Sequence, residues 1–237
     1  MGKNLIQQRR GRGTSRFRAP SFNWKGEAKL PQTVSTLTEG TITDIIHCPG
    51  HSAPLAQVQF GSVESLIQAP EGIMVGQKIQ IGEGSQAKEG NILVLKDIPE
   101  GIPIYNLESK PGDGGKFVRT SGTFARIITK MDSAIVVELP SGKRRTFMPN
   151  CRAIIGTIAG GGRTEKPFLK AGVKHFRMKA KNKFWPIVSG ISMNAVAHPF
   201  GGKGSHTKGR PTQSARNDPP GRKVGKIAPK RTGRRKR

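Results

Sequence analysis

Of the five histidines of this chain, His198 stands in the sequence context that most invites an acid–base reading. It stands in Val196-Ala197-His198-Pro199-Phe200-Gly201-Gly202, a rigid-then-flexible stretch, and an imidazole titrates near neutrality. General acid–base work also needs an oriented partner. The nearest acid downstream is Asp218. The same ring can hydrogen-bond to a phosphate or a base edge, and that reading outweighs catalysis here.

Other reactive types are sparser. His47, Cys48 and His51 lie close together, and Cys151 and His175 could join them. Zinc sites want four ligands, usually in paired, regularly spaced sets, and the second pair is absent. His47-Cys48-Pro49-Gly50-His51 reads better as a turn after a strand. Cys151 lacks any nucleophile signature around it and precedes an apolar run, so a buried structural thiol fits it. Gly82-Glu83-Gly84-Ser85 matches a loose dinucleotide pattern, but Lys88-Glu89-Gly90 and another strand follow, not the helix that pattern needs. Gly202-Lys203-Gly204-Ser205 resembles the end of a P-loop, yet Ala197 stands where the first Gly belongs. No metal or cofactor is called for.

Charge points elsewhere. Forty-one Lys and Arg stand against 15 Asp and Glu, a net charge of +26, and the excess lies toward the ends. Residues 1–30 hold eight bases and one acid; residues 31–142 hold eight and twelve. Residues 143–197 hold twelve and one, and residues 198–237 thirteen and one. A near-neutral middle between basic flanks reads as a folded body with cationic arms. Their natural partner is a dense array of negative charge, usually nucleic-acid phosphate.

Composition excludes several classes. No run approaches the ~20 apolar residues of a membrane span, so no membrane partner is expected. The basic N-terminus lacks a following apolar core, so it is not a secretory signal. Two cysteines cannot form a disulfide framework and fit a reducing compartment, cytosolic or organelle-matrix. One Tyr and two Trp argue against an aromatic platform for single strands. Gly (31) and Pro (17) make up about a fifth of the chain, which disfavours helices and suits turns and short strands.

The elements follow from that bias. Residues 1–35 read as a basic N-terminal arm, with Phe17, Phe22 and Trp24 interleaved among its cations; Arg9, Arg10, Arg12, Arg16 and Arg18 are its candidate phosphate contacts. A solvated tail with no set partner is the plainer alternative. Runs at 41–46, 55–60, 63–69, 77–81 and 91–95 are rich in Val, Ile and Thr and separated by turn residues, so 36–95 reads as a small closed or half-closed β-barrel. Runs at 102–107, 123–130, 134–139, 144–148 and 153–158 suggest a second barrel within 96–190. Its Pro111-Gly112-Asp113-Gly114-Gly115 loop should leave backbone N–H groups open to phosphate, with Lys116 and Arg119 supplying charge. An ordinary solvent-exposed loop is the alternative.

Leu169, Val173, Phe176 and Ala180 have helical spacing behind Thr164-Glu165 as a possible cap, with Lys174, Arg177 and Lys181 on another face. Arg163 and Lys183 flank this basic helix. Residues 191–237 read as a second irregular basic arm, offering His198, Gly201, Gly202, Lys203, Arg210, Arg222, Lys223 and Arg231. Both arms are expected to order only on nucleic acid, having no periodic apolar face. The fold class is all-β: two small barrels with long irregular basic extensions.

Several blocks carry a resemblance. APEGIMVGQKIQIG, IPEGIPIYNLESKPGDGGKFVRTSGTFARII, LPSGKRRTFMPNCRAIIGTI, WPIVSGISMNAVAHPFGGKG and GRKVGKIAPKRTGRRKR run in order along the chain. They resemble the second large-subunit ribosomal protein family, called L-two in bacteria and L-eight in eukaryotes. RRGRGTSRFRAPS and AHPFGG, where bacterial members read DHPHGG, resemble the archaeal and eukaryotic form, and the short basic terminus leans archaeal. Lys203-Gly204-Ser205 departs from the family's usual loop.

The resemblance implies an OB-like first barrel, an SH3-like second one and a C-terminal extension reaching into large-subunit rRNA near the peptidyl-transferase region. It implies a structural, non-enzymatic role in cytoplasmic large-subunit assembly, subunit joining and tRNA binding. The partners would be large-subunit rRNA and neighbouring ribosomal proteins, with a contact to the small subunit. It makes the basic residues named above rRNA contacts. The family histidine falls on His198, and a direct part in peptidyl transfer is the alternative reading.

Overall fold

The computed structural model describes residues 2–32, 36–82 and 84–230. Two compact units divide the chain. One runs Ser21–Val173; the other joins the two ends, up to Pro20 and from Lys174 onward. This division differs from the composition-based segments.

The Ser21–Val173 unit is built from ten strands: β1 (Thr38–Ile46), β2 (Leu55–Phe60), β3 (Val63–Gln68), β4 (Lys78–Ile81), β5 (Ile92–Val94), β6 (Pro103–Tyr105), β7 (Ala125–Lys130), β8 (Ile135–Glu138), β9 (Arg144–Phe147) and β10 (Arg152–Ile155). The all-β expectation holds, and each strand falls within or beside one of the β-branched runs. They share one hydrogen-bonded sheet in the order β3-β2-β1-β4-β5-β10-β6-β7-β8-β9. Most pairings are antiparallel; β4 and β5 meet in parallel at Ile81 and Ile92. The register slips between Ile42 and Asp44 and again between Ile127 and Thr129, bulges that bend the sheet.

β10 is the seam. It lies antiparallel to both β5 and β6, and all four of its residues are buried. Successive side chains of a strand point to opposite faces. Here that alternation feeds two separate cores. Ile92, Tyr105 and Ile154 enter one with Ile42, Val58, Ile67 and Ile79. Their neighbours Leu93, Ile104 and Ile155 enter the other with Leu107, Ile127, Val137 and Phe147. Strands buried on both faces read as continuous apolar runs, as NILVL and RAII do.

A buried ion pair anchors the loop beside this seam. Glu108 Oε1 accepts from the Arg152 guanidinium at 2.7 Å, and Arg152 also donates to the Pro31 carbonyl at 2.9 Å. Both side chains are almost wholly buried. The remaining carboxylate capacity takes backbone N–H groups of Gly112, Gly114 and Arg152.

The other unit has little regular structure. It contains α1 (Ile6–Gly11), most of α2 (Ala171–Ala180), and a parallel pair β11 (Gln213–Ser214) and β12 (Lys226–Ile227). A helix forms over Val173, Phe176 and Ala180, but Leu169 lies before it and none of its residues is buried, so the apolar spacing does not mark a buried face. Thr164 and Glu165 do not cap it, and Thr164 ends a separate 3-10 turn, Gly161–Thr164. Leu5, Phe200 and Val224 form a small shared core. The Lys3 N–H donates to the Val196 carbonyl at 2.8 Å. The ends therefore do bury apolar residues, against expectation. Those residues are too far apart in sequence to show a period.

Candidate nucleic-acid interface

In the unit formed by the chain ends, Arg9 and Arg10 occupy the last turn of α1, and Arg12 follows in the open; all three are exposed. The Arg10 guanidinium donates to the Asn182 carbonyl at 3.2 Å. Arg18 Nε donates to the Gly13 carbonyl at 2.7 Å, which closes the turn that carries Arg16. Arg10, Arg16, Arg18 and Lys183 converge on an open cleft of ≈ 440 Å³, together with Lys179, which sequence reasoning missed. Lys174 and Arg177 lie on α2, and Lys181 just past its end. Lys174 Nζ lies 5.6 Å from the centroid of Trp185, whose ring also meets His175 edge-on at 6.4 Å.

His198 lines a second cleft of ≈ 460 Å³ with Gly201 and Arg210. Its Nδ1 accepts the N–H of Phe200 at 3.1 Å, and its ring tilts against the Phe200 ring at 5.3 Å. Burial lowers its pKa below the ordinary value, because it disfavours the cation. A backbone N–H, not a carboxylate, orients this ring, so the geometry gives no support to a direct acid–base role. Gly201 and Gly202 have internal reasons to be glycine. A Cβ on Gly201 would stand 2.6 Å from the Met193 carbonyl oxygen, and Gly202 has φ 95°. Lys203 is exposed, and its carbonyl accepts from Lys208 Nζ. Arg222 is half-buried, with one guanidinium nitrogen buried and lacking a hydrogen-bond partner; Lys223 Nζ donates to the Arg216 carbonyl. Arg231 lies outside the described residues.

In the Ser21–Val173 unit, the glycine loop is not open in the expected way. Asp113 accepts N–H groups from Ser109, Lys110 and Gly115, while Glu108 takes those of Gly112 and Gly114. The loop's N–H groups thus go to carboxylates of the chain itself, the alternative reserved for an anion being closed. Lys116 is exposed. Arg119 turns inward: it donates to the Ala28 carbonyl, and desolvation lowers its pKa. Arg163 Nε donates to Ser121 Oγ at 3.1 Å.

The structure adds a basic edge. β9 ends the sheet, with Arg144 and Arg145 exposed. The Arg145 guanidinium sits 4.5 Å from the Phe117 centroid and 5.5 Å from that of Phe147, a cation–π seat that orders it. The run SGKRRTF carried that signal in sequence. The cysteines are structural. Cys48 Sγ meets His51 Nδ1 at 3.1 Å, and burial raises the Cys151 thiol pKa, leaving little thiolate. Among the described residues, no three His, Cys, Asp or Glu gather to hold a metal.

Comparison with known proteins shows the family. A family profile described as "Ribosomal Proteins L2, C-terminal domain" matches residues 88–218. Large ribosomal subunit protein uL2 of Haloquadratum walsbyi is 55% identical over 99% of this chain and 97% of its own length. The protein of the same name from Natronomonas pharaonis is 53% identical over 99% of this chain and 97% of its own. That of Methanothermobacter thermautotrophicus is 51% identical over the whole of both. A chain this similar to these archaeal proteins along its full length belongs to the uL2 family in its archaeal form.

Proposed function

We propose that this chain is a structural constituent of the large ribosomal subunit that binds large-subunit rRNA in the cytoplasm. The observation that carries the reading is the segregation of charge. The middle of the chain is near neutral and folds on two apolar cores, while the bases gather at ends that share a core of three side chains. Each buried apolar side chain contributes roughly 1.5–3 kcal/mol, too little to hold so many like charges together without counter-charge. RNA phosphate supplies that counter-charge.

On this reading the sheet is two small barrels meeting at β5, β10 and β6, OB-like over 36–95 and SH3-like within 96–190. The extensions 1–35 and 191–237 enter rRNA. Arg9, Arg10, Arg12, Arg16, Lys183, Lys203 and Arg210 contact phosphate, and Lys116 and the β9 edge add contacts from the barrel side. His198, Gly201 and Gly202 shape backbone that lies close to RNA. Arg119 and Arg163 act mainly by bracing the fold. Membership of the uL2 family is what supports extending this role to assembly, subunit joining, tRNA binding and the peptidyl-transferase region, with neighbouring ribosomal proteins and the small subunit as further partners.

The test is competition for the full chain between large- and small-subunit rRNA from one organism at fixed salt. A preference of at least 10³-fold for the large-subunit RNA is expected. Equal affinity would reduce the protein to a non-specific polycation.

A further inference from the structure

We propose that the cleft between the turn at Ser15–Phe17 and the end of α2 is a nucleotide pocket, taking one unpaired nucleobase with its 5′ phosphate. The inference rests on the rRNA-binding reading and adds a defined ligand to it. The cleft's volume, ≈ 440 Å³, lies within the range of small-ligand sites. Its lining divides into two chemistries. Arg10, Arg16, Arg18, Lys179 and Lys183 supply positive charge, and no Asp or Glu lines the cleft. Phe17, His175, Phe184 and Trp185 supply rings. Cations alone suit any phosphate surface, and rings alone suit a core. Both together in one concave site suit a phosphate joined to a flat base.

The groups are also held in place. Arg10 is tied to the Asn182 carbonyl and Arg18 to the Gly13 carbonyl, so both guanidiniums lose less freedom on meeting a phosphate. Trp185 is braced by Lys174 and His175. Asn182 also lines the cleft, and an asparagine amide can both give and take hydrogen bonds with a base edge. The chain has only two Trp, one Tyr and ten Phe, so three of these rings with a histidine around a single cleft are a concentration of scarce residues. Base-paired RNA hides its faces within the stack, and an extruded or free nucleotide does not.

The test uses the full chain with Trp24→Phe, which leaves Trp185 as its one tryptophan. Three probes are titrated: AMP, an RNA hairpin with a single bulged adenosine, and the same hairpin fully paired. The bulged hairpin should quench Trp185 fluorescence saturably, at a midpoint at least tenfold lower than AMP. The paired hairpin should bind, by anisotropy, with little quenching. Arg16→Ala with Lys183→Ala should raise the bulged-hairpin midpoint about tenfold, and Phe17→Leu should reduce stacking without removing charge. Quenching by AMP alone would support the pocket and assign it to free nucleotide. Equal quenching by paired and bulged hairpins, or none by any probe, would overturn it. Binding to large-subunit rRNA is measured on the same protein. If that persists with Trp185 unquenched, only the pocket falls; if it is lost, the wider reading falls too.

Discussion

Gly190 backs the ring of His198. A Cβ at position 190 would lie 2.5 Å from His198 Nδ1, closer than two such atoms can approach. The glycine thus lets the imidazole sit inward, where it takes the Phe200 N–H.

Gly190→Ala should push the ring outward. His198 titrates below its ordinary value because burial disfavours the cation. In Gly190→Ala its pKa should rise toward about 6.5, read by proton NMR of the imidazole. The same shift sets a pH dependence. Between the folded and unfolded pKa values the unfolded chain binds more protons, so stability contributed by the buried neutral ring is full above about pH 6.5 and is lost as pH falls toward the folded value. An unmoved pKa in the alanine variant would show that burial is not what holds it down.

Glu108→Gln should be among the most damaging single changes in the Ser21–Val173 unit. It leaves Arg152 buried without its counter-charge, and weakens the bonds to Gly112 and Gly114. Breaking a buried pair from one side costs about 3–5 kcal/mol, to be read by urea denaturation. A loss below about 1 kcal/mol would show that solvent reaches the site.

Lys116 and Arg119 should separate cleanly. Lys116→Ala should leave stability unchanged and flatten the salt slope of rRNA binding by about one contact. Arg119→Ala removes the donor to the Ala28 carbonyl and should cost about 1–3 kcal/mol of stability. Reversed effects would place Arg119 on the RNA.

Gly201→Ala should impair incorporation into large subunits more than Lys203→Ala. The added methyl meets backbone carbonyls of Met193 and Asn194, which cannot swing aside as a side chain can. Lys203 offers one phosphate contact. Equal, mild effects in reconstitution would mean the segment has room to adjust.

The strands were legible in the sequence because β-branched alternation is local, and each of the ten can be found from its own few residues. The interposition of β10 between β5 and β6 was not, since pairing order depends on chain that is distant in sequence. The same reason hid Leu5, Phe200 and Val224. The glycine loop misled for a different reason. Glycines at 112, 114 and 115 suggested N–H groups waiting for an anion, yet Glu108 and Asp113, a few residues away, already supply two. Arg119 shows that a charge expected on RNA can be consumed internally. The aromatic count was low enough to suggest no stacking, but a count cannot show that Phe17, Phe184 and Trp185 share one cleft.

The salt dependence of binding to large-subunit rRNA tests the central claim most directly. If about ten of the bases at the chain ends neutralise phosphates, log affinity against log salt should fall with a slope of roughly −7 to −9. A slope near −2, a value of about two to three contacts on the same scale, would mean that most of the charge never meets RNA, and would contradict the account.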